Sequence, residues 1–170
     1  YGLSETSPSA SCNPTISRHF TGTIGVPIPS TWFKLLDDDG HEVPQGQPGE
    51  IAIKGPQVMA GYWQRPDETA KVMTADGYFK SGDIGTVDKN GYFSIIDRKK
   101  DMILVSGFNV YPNEIEEAVS GLHGVLECAC VGMPDEKTSE AVKLVIVKRN
   151  PELTEAQVSD YCKANLAGYK

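Results

Sequence analysis

The alternation of apolar and polar positions changes character near residue 98. From Thr31 to Arg98 the signals are those of β-structure. Phe33-Lys34-Leu35-Leu36, Asp37-Asp38-Asp39-Gly40 and His41-Glu42-Val43 read as one hairpin, with the Asp-Gly pair as its turn. Gly49 to Gly55 is a strand bounded by glycines. Pro66 to Met73 is a short helix with proline and acids in its first turn. Ile84–Val87 and Tyr92–Ile96 form a second hairpin around Asp88-Lys89-Asn90-Gly91. The stretch up to Pro29, rich in Gly, Ser, Thr and Pro, predicts loops.

Beyond Arg98 the period lengthens. Met102–Val105 is a strand and Gly107 a break. Pro112-Asn113-Glu114 opens a helix in which Ile115, Val119 and Leu122 share a face, and Gly121 and Gly124 end it. Leu126–Gly132 and Ala141–Lys148 are strands, the second with Val142, Leu144 and Ile146 on one side. Thr154-Glu155-Ala156-Gln157 is a capping box, followed by Val158, Cys162 and Leu166 at helical spacing. The order strand, helix, strand, strand, helix predicts a compact α+β unit. The boundary falls in the charged run Asp97–Asp101: residues 1–97 form one part, 98–101 a hinge and 102–170 a small second domain.

Composition narrows the function classes. The chain has 170 residues, 39% of them hydrophobic and 23% charged, so it is globular. It opens at Tyr1 with no initiator Met, basic n-region or apolar h-region, which reads as a piece of a longer protein rather than a secretory precursor. Its apolar runs are too short to span a bilayer. A net charge of −7 without a basic patch argues against nucleic acid. Cys12, Cys128, Cys130 and Cys162 lack zinc-ligand spacing and read as buried, reduced thiols, which fits a cytoplasmic protein. His19, His41 and His123 are scattered and read as surface or structural. Asp37–Asp39 reads as turn chemistry rather than a metal site.

Three segments carry candidate chemistry. Tyr1-Gly2-Leu3-Ser4-Glu5-Thr6-Ser7-Pro8 places an aromatic face, small hydroxyls and a carboxylate together. An aromatic can stack on a base, a hydroxyl can donate to phosphate, and a carboxylate can hold Mg²⁺ beside it. In Asp76-Gly77-Tyr78-Phe79-Lys80-Ser81-Gly82-Asp83-Ile84-Gly85, Asp83 enters a strand between glycines. It can accept from both ribose hydroxyls or cap turn amides; the residues alone allow either. The third segment, Ile95 to Glu116, joins a charged turn, an apolar strand, a Gly loop and a helix.

In this order the segments resemble the adenylate-forming superfamily over essentially the whole chain, and most closely bacterial long-chain fatty-acid–CoA ligases. Tyr1-Gly2-x-Ser4-Glu5 is similar to the family's Tyr-Gly-x-Thr-Glu motif, with Ser for Thr. Gly49-Glu50 through Gly61-Tyr62-Trp63 and Arg65-Pro66 resembles its middle motif. Asp76–Gly85 through Asp97-Arg98 resembles the fatty-acyl signature, with Ser81 for its usual Thr and Tyr78-Phe79 for a Trp-containing pair.

The resemblance implies an α+β architecture, the β-rich tail of a large adenylation domain (hairpins of a distorted barrel) followed by a small α+β domain. It implies ATP, Mg²⁺ and coenzyme A as cofactors or substrates, with a fatty acid activated through an acyl-adenylate. Tyr1 and Gly2 would lie against adenine, Ser4 at the α-phosphate, Glu5 on Mg²⁺, and Asp83 and Arg98 at the ribose. Lys100 would be the hinge residue, and Ser106, Gly107 and Phe108 would line the coenzyme A channel. The family's phosphate loop and adenylation lysine find no counterpart in these residues, so the chain alone is expected to be inactive. Other expectations are an aryl-acid or amino-acid ligase, or a non-catalytic nucleotide-binding module. Long-chain ligases often work at the inner face of the membrane because their substrates partition there, but no basic amphipathic helix marks such contact here. Oligomeric state is not legible.

Overall fold

The computed structural model describes residues 1–16, 19 and 21–170. It divides into two compact units, Tyr1–Lys99 and Lys100–Lys170. The expected hinge, 98–101, spans that division, and a 3₁₀ turn covers Lys99–Asp101.

The first unit is built on a four-stranded antiparallel sheet. Its strands are β3 (Trp32–Leu36), β4 (Gly49–Lys54), β5 (Phe79–Val87) and β6 (Phe93–Arg98), paired in that order. A two-stranded ladder, β1 (Ser11–Cys12) with β2 (Val26–Pro27), lies within the stretch expected to be loops. Residues 17, 18 and 20 of that stretch lie outside the described residues. Among the described residues no barrel closes; the predicted barrel hairpins are an open sheet.

The Asp88–Gly91 hairpin forms as the sequence predicts. Asp88 Oδ1 accepts the N–H groups of Asn90 and Tyr92 at 2.8 and 2.9 Å. The first predicted hairpin also forms, its turn followed by a short second arm. Asp37 N–H donates to His41 O at 2.9 Å, Leu36 bridges Glu42, and Val43 N–H donates to Leu35 O at 2.9 Å. The arm ends at Pro44, which lacks a donor for a ladder, and the other edge of β3 pairs with β4, from Trp32–Lys54 to Leu36–Glu50. The same turn brings one ligand atom each of Asp37, Asp39 and His41 within 4.8 Å, all exposed. Helix α1 spans Pro66–Val72, with Asp67 and Glu68 in its first turn. Leu35, Ile51, Ile53, Phe93 and Ala10 form the core, against which Tyr1, Leu3 and Phe33 pack.

The second unit has six elements where five were expected. Strand β7 (Ile103–Val105) turns directly into β8 (Phe108–Val110), then come α2 (Pro112–Ser120), β9 (Val125–Asp135), β10 (Ser139–Lys148) and α3 (Glu155–Asn165). The sheet order is β8-β7-β10-β9. The break predicted at Gly107 is a two-residue hairpin loop: Ser106 has φ 51° and Gly107 φ 84°, with Val105 facing Phe108. Positive φ at both positions marks a turn whose twist matches paired strands. Ile115 and Val119 of α2 are buried with Ile103, Val110, Val125, Cys130 and Leu153, and Val142, Leu144, Ile146, Val158, Cys162 and Leu166 pack on that core. The Thr154–Gln157 capping box is formed, with Thr154 N–H donating to Gln157 Oε1 at 2.9 Å. No disulfide links the four cysteines; Cys130 is buried and Cys128 and Cys162 half-buried, but Cys12 is exposed, contrary to the expectation of a buried thiol. Among the described residues no helix is long and apolar enough to cross a membrane.

Candidate functional site

The first unit gathers Tyr1, Asp83 and Arg98 in direct contact. Asp83 on β5 faces Arg98 across the β5–β6 ladder, where a register shift follows between Ile84 and Gly85. Asp83 Oδ2 accepts the Tyr1 hydroxyl at 2.6 Å, and Arg98 Nε lies 3.4 Å from Oδ1. The Asp83 side chain is 7% exposed and that of Arg98 61%. A buried carboxylate needs such partners. Each of its oxygens has a second lone pair, so the pair can still accept hydroxyl donors from a ligand. Burial pushes the Tyr1 phenol far above its ordinary range, and the hydrogen bond to Asp83 pushes it further. Tyr1 is therefore a neutral donor whose ring packs edge-on against Phe33, with centroids 6.4 Å apart.

The turn after Tyr1 is knitted from within. Gly2 bridges Ser9, and a Cβ at Gly2 would lie 1.6 Å from Pro8 O, so only glycine fits. The buried Thr6 hydroxyl accepts Leu3 N–H at 2.9 Å and donates to Pro8 O at 2.7 Å. This leaves Ser4 exposed and Glu5 half-buried on a 3₁₀ turn. Glu5 Oε1 accepts the Tyr62 hydroxyl at 2.9 Å, and its carbonyl accepts Met59 N–H at 2.8 Å. Burial raises the Tyr62 phenol, with the Glu5 hydrogen bond second. A single hard carboxylate beside an exposed hydroxyl fits Mg²⁺, which commonly takes one or two protein carboxylates and draws its remaining ligands from water and substrate phosphates.

Sequence reasoning missed three supporting residues. Tyr62 holds Glu5. Glu50, buried on β4, accepts Gly82 N–H at 3.2 Å and Lys99 Nζ at 3.0 Å. Lys99 also reaches Asp38 at 2.8 Å. Burial alone would lower the Lys99 ammonium, but the hydrogen bonds to Asp38 and Glu50 outweigh it and raise it. The signal available in sequence was a lone Glu between Gly49 and an apolar run, a position where an unpaired charge would be costly.

The other expected residues lie in the second unit. Lys100 is exposed on the 3₁₀ turn. Ser106 and Gly107 form the β7–β8 turn, and exposed Phe108 stacks on Tyr169, with centroids 4.7 Å apart at 21°. Lys170 pairs with Glu114.

Residues 1–63 match the model of the family described as AMP-binding enzyme, and residues 114–170 match that of the AMP-binding enzyme C-terminal domain. All 170 residues align at 54% identity with a long-chain-fatty-acid–CoA ligase of Escherichia coli O6:H1. This chain belongs to the AMP-binding enzymes. It spans 30% of the length of that relative. A second AMP-binding enzyme, a feruloyl-CoA synthase of Amycolatopsis, is 41% identical over 172 residues, and the chain spans 35% of it. Among solved structures, ATP-bound MatB from Rhodopseudomonas palustris superposes with a TM-score of 0.92 at 37% identity, over all of this chain and 34% of that one. The mixed architecture of sheets with three helices is thus that of adenylate-forming enzyme domains.

Proposed function

We propose that this chain is the C-terminal part of an ATP-dependent long-chain fatty-acid–CoA ligase, which converts a fatty acid, ATP and coenzyme A to acyl-CoA, AMP and pyrophosphate. The observation that carries the reading is the Tyr1–Asp83–Arg98 contact, in a chain 54% identical throughout to a ligase of that name. A fatty carboxylate is a poor electrophile. Its oxygen attacks the α-phosphorus of ATP, the bond to pyrophosphate breaks, and an acyl-adenylate forms. The thiol of coenzyme A then adds to the acyl carbonyl and expels AMP, losing its proton to solvent. Most of the work is positioning and charge compensation rather than proton transfer.

In this reading the Asp83 carboxylate accepts from the ribose hydroxyls, and Arg98, mostly exposed, adds a fixed cation beside them. Tyr1 offers its ring to adenine while its hydroxyl holds Asp83, with Gly2 keeping that turn close. Ser4 points its hydroxyl at the α-phosphate. Glu5, held by Tyr62, supplies the carboxylate for Mg²⁺, whose charge offsets that of the triphosphate. In the second unit Lys100 marks the hinge about which a small domain rotates between half-reactions, and Ser106, Gly107 and Phe108 line the path of coenzyme A. The protein is cytoplasmic, with lipid substrate drawn from the membrane face.

The 41% identity to a feruloyl-CoA synthase favours an aryl-acid ligase as the second reading. ATP–pyrophosphate exchange by the intact protein, with palmitate, ferulate and an amino acid in parallel, separates the two. Exchange driven by palmitate is expected; exchange driven by ferulate alone would replace the first reading with the second. Asp83→Ala should weaken AMP binding about 10- to 100-fold, the loss expected for one or two hydrogen bonds to a charged acceptor. The 170 residues alone are expected to give no exchange.

A further inference from the structure

Asp83 and Arg98 are bracketed by backbone that leads to one side chain. Gly82, immediately before Asp83, donates its N–H to Glu50 Oε1 at 3.2 Å. Lys99, immediately after Arg98, donates from Nζ to Glu50 Oε2 at 3.0 Å. The two oxygens of one carboxylate on β4 thus hold Gly82 of β5 and Lys99, the residue after β6, beside the point where Asp83 and Arg98 face each other. Asp83 and Arg98 are in register, but the ladders are irregular beside them: the β4–β5 register shifts between Glu50 and Ala52, and the β5–β6 register shifts between Ile84 and Gly85. Ladder hydrogen bonds fix a regular strand pair, but they are locally disrupted at such shifts. A side chain that bridges the irregular stretch adds constraint there.

Burial makes the constraint stiff. The Glu50 side chain is 8% exposed and that of Lys99 35%. Asp38, the second partner of Lys99, is 70% exposed, so solvent screens that contact more than the one to Glu50. A buried ion pair is weak evidence for stability, because apolar residues of the same volume often do as well or better. What an apolar pair cannot do is fix a backbone N–H and an ammonium at set positions. Arg98 particularly needs this, since its side chain extends into solvent and its placement depends on its backbone; Asp97 Oδ1 holds the Arg98 N–H from the other side at 2.7 Å.

We infer that Glu50, working through Gly82 and Lys99, is a positioning residue that sets the separation of Asp83 and Arg98 for a vicinal diol. This rests on the reading of Asp83 and Arg98 as the ribose pair. The test uses the intact protein and two probes, AMP and 2′,3′-dideoxy-AMP, with affinities from isothermal titration calorimetry. The wild type should bind AMP at least about tenfold more tightly than the dideoxy analogue, the value of one charge-assisted hydrogen bond. Glu50→Gln keeps the acceptor for Gly82 but loses the Lys99 contact. It should cut that ratio several-fold and leave dideoxy-AMP binding unchanged. Lys99→Met should do the same, and Lys99→Arg should restore most of the ratio. Lys99 is partly exposed, so its variants carry the test if Glu50→Gln does not fold. The inference is overturned if the variants keep the wild-type ratio, or if they weaken both probes equally, as a general loss of structure would. A wild type that does not distinguish the probes would instead sink the ribose reading, and the inference with it.

Discussion

At the scale of single residues, partners decide behaviour more than exposure does. Asp76 is exposed, yet its carboxyl is held down to about 2, first by the hydrogen bond from Lys34 and then by that from Thr74. The sign follows from linkage: a depressed carboxyl stabilises the fold above its ordinary value near 3.9, and that contribution is lost as the pH falls through about 2. A carboxyl-carbon NMR titration should show Asp76 ionising at about 2, and Lys34→Met should move its midpoint upward. An unmoved midpoint would mean that Lys34 is not the cause. Tyr1 runs the other way. Its burial and its bond to Asp83 keep the phenol neutral, so whatever this contact stabilises is present below the ordinary tyrosine range near 10 and fades above it. Neither effect was legible in sequence, since Lys34 and Asp76 are 42 residues apart and Tyr1 and Asp83 are 82 apart.

At the scale of elements, local chemistry was legible and pairing was not. Helix α3 could be read from Thr154, Gln157, Val158, Cys162 and Leu166 because each signal lies within a few turns of the next. Strand β8 could not: three residues, Phe108–Val110, make no period, and Ser-Gly is a weaker hairpin signal than Asn-Gly. The second partner of β3 was also hidden, because a turn at Asp37–Gly40 announces the short arm to Val43 but says nothing about β4 on the strand's other edge. The Ser106–Gly107 turn makes a specific demand. Gly107→Ala places a Cβ at φ 84° and should cost about 1–2 kcal/mol, while Ser106→Asn should be neutral or stabilising. Chemical denaturation of the two variants checks the order.

At the scale of the whole molecule, two cores are the organising fact. Ile53 is fully buried with Ile51 and Phe93 in one; Val119 is fully buried with Ile115 and Ile103 in the other. Ile53→Ala should cost about 2–5 kcal/mol. In hydrogen exchange it should speed the core amides of Tyr1–Lys99 while those of Lys100–Lys170 keep their protection. Equal loss in both would show the chain to be one cooperative body. The change of pattern near residue 98 was legible because composition shifts there. The candidate site was legible as a set of residue types, Tyr1, Glu5, Asp83 and Arg98. Its supports, Tyr62, Glu50 and Lys99, became visible only in three dimensions, since an ion pair such as Glu50–Lys99 spans 49 residues.

The hydrogen bond from Tyr1 to Asp83 has a further consequence for the order of folding. It closes a loop across 82 residues, and contacts of that span tend to form late because their ends must first be brought together. β5 and β6 can pair locally around their hairpin long before Tyr1 arrives. A folding intermediate of this unit would then have its sheet but not the Tyr1–Asp83 contact. On the proposed ribose reading, nucleotide capture during refolding would therefore appear as the last kinetic phase, making it a clock for completion of the native state.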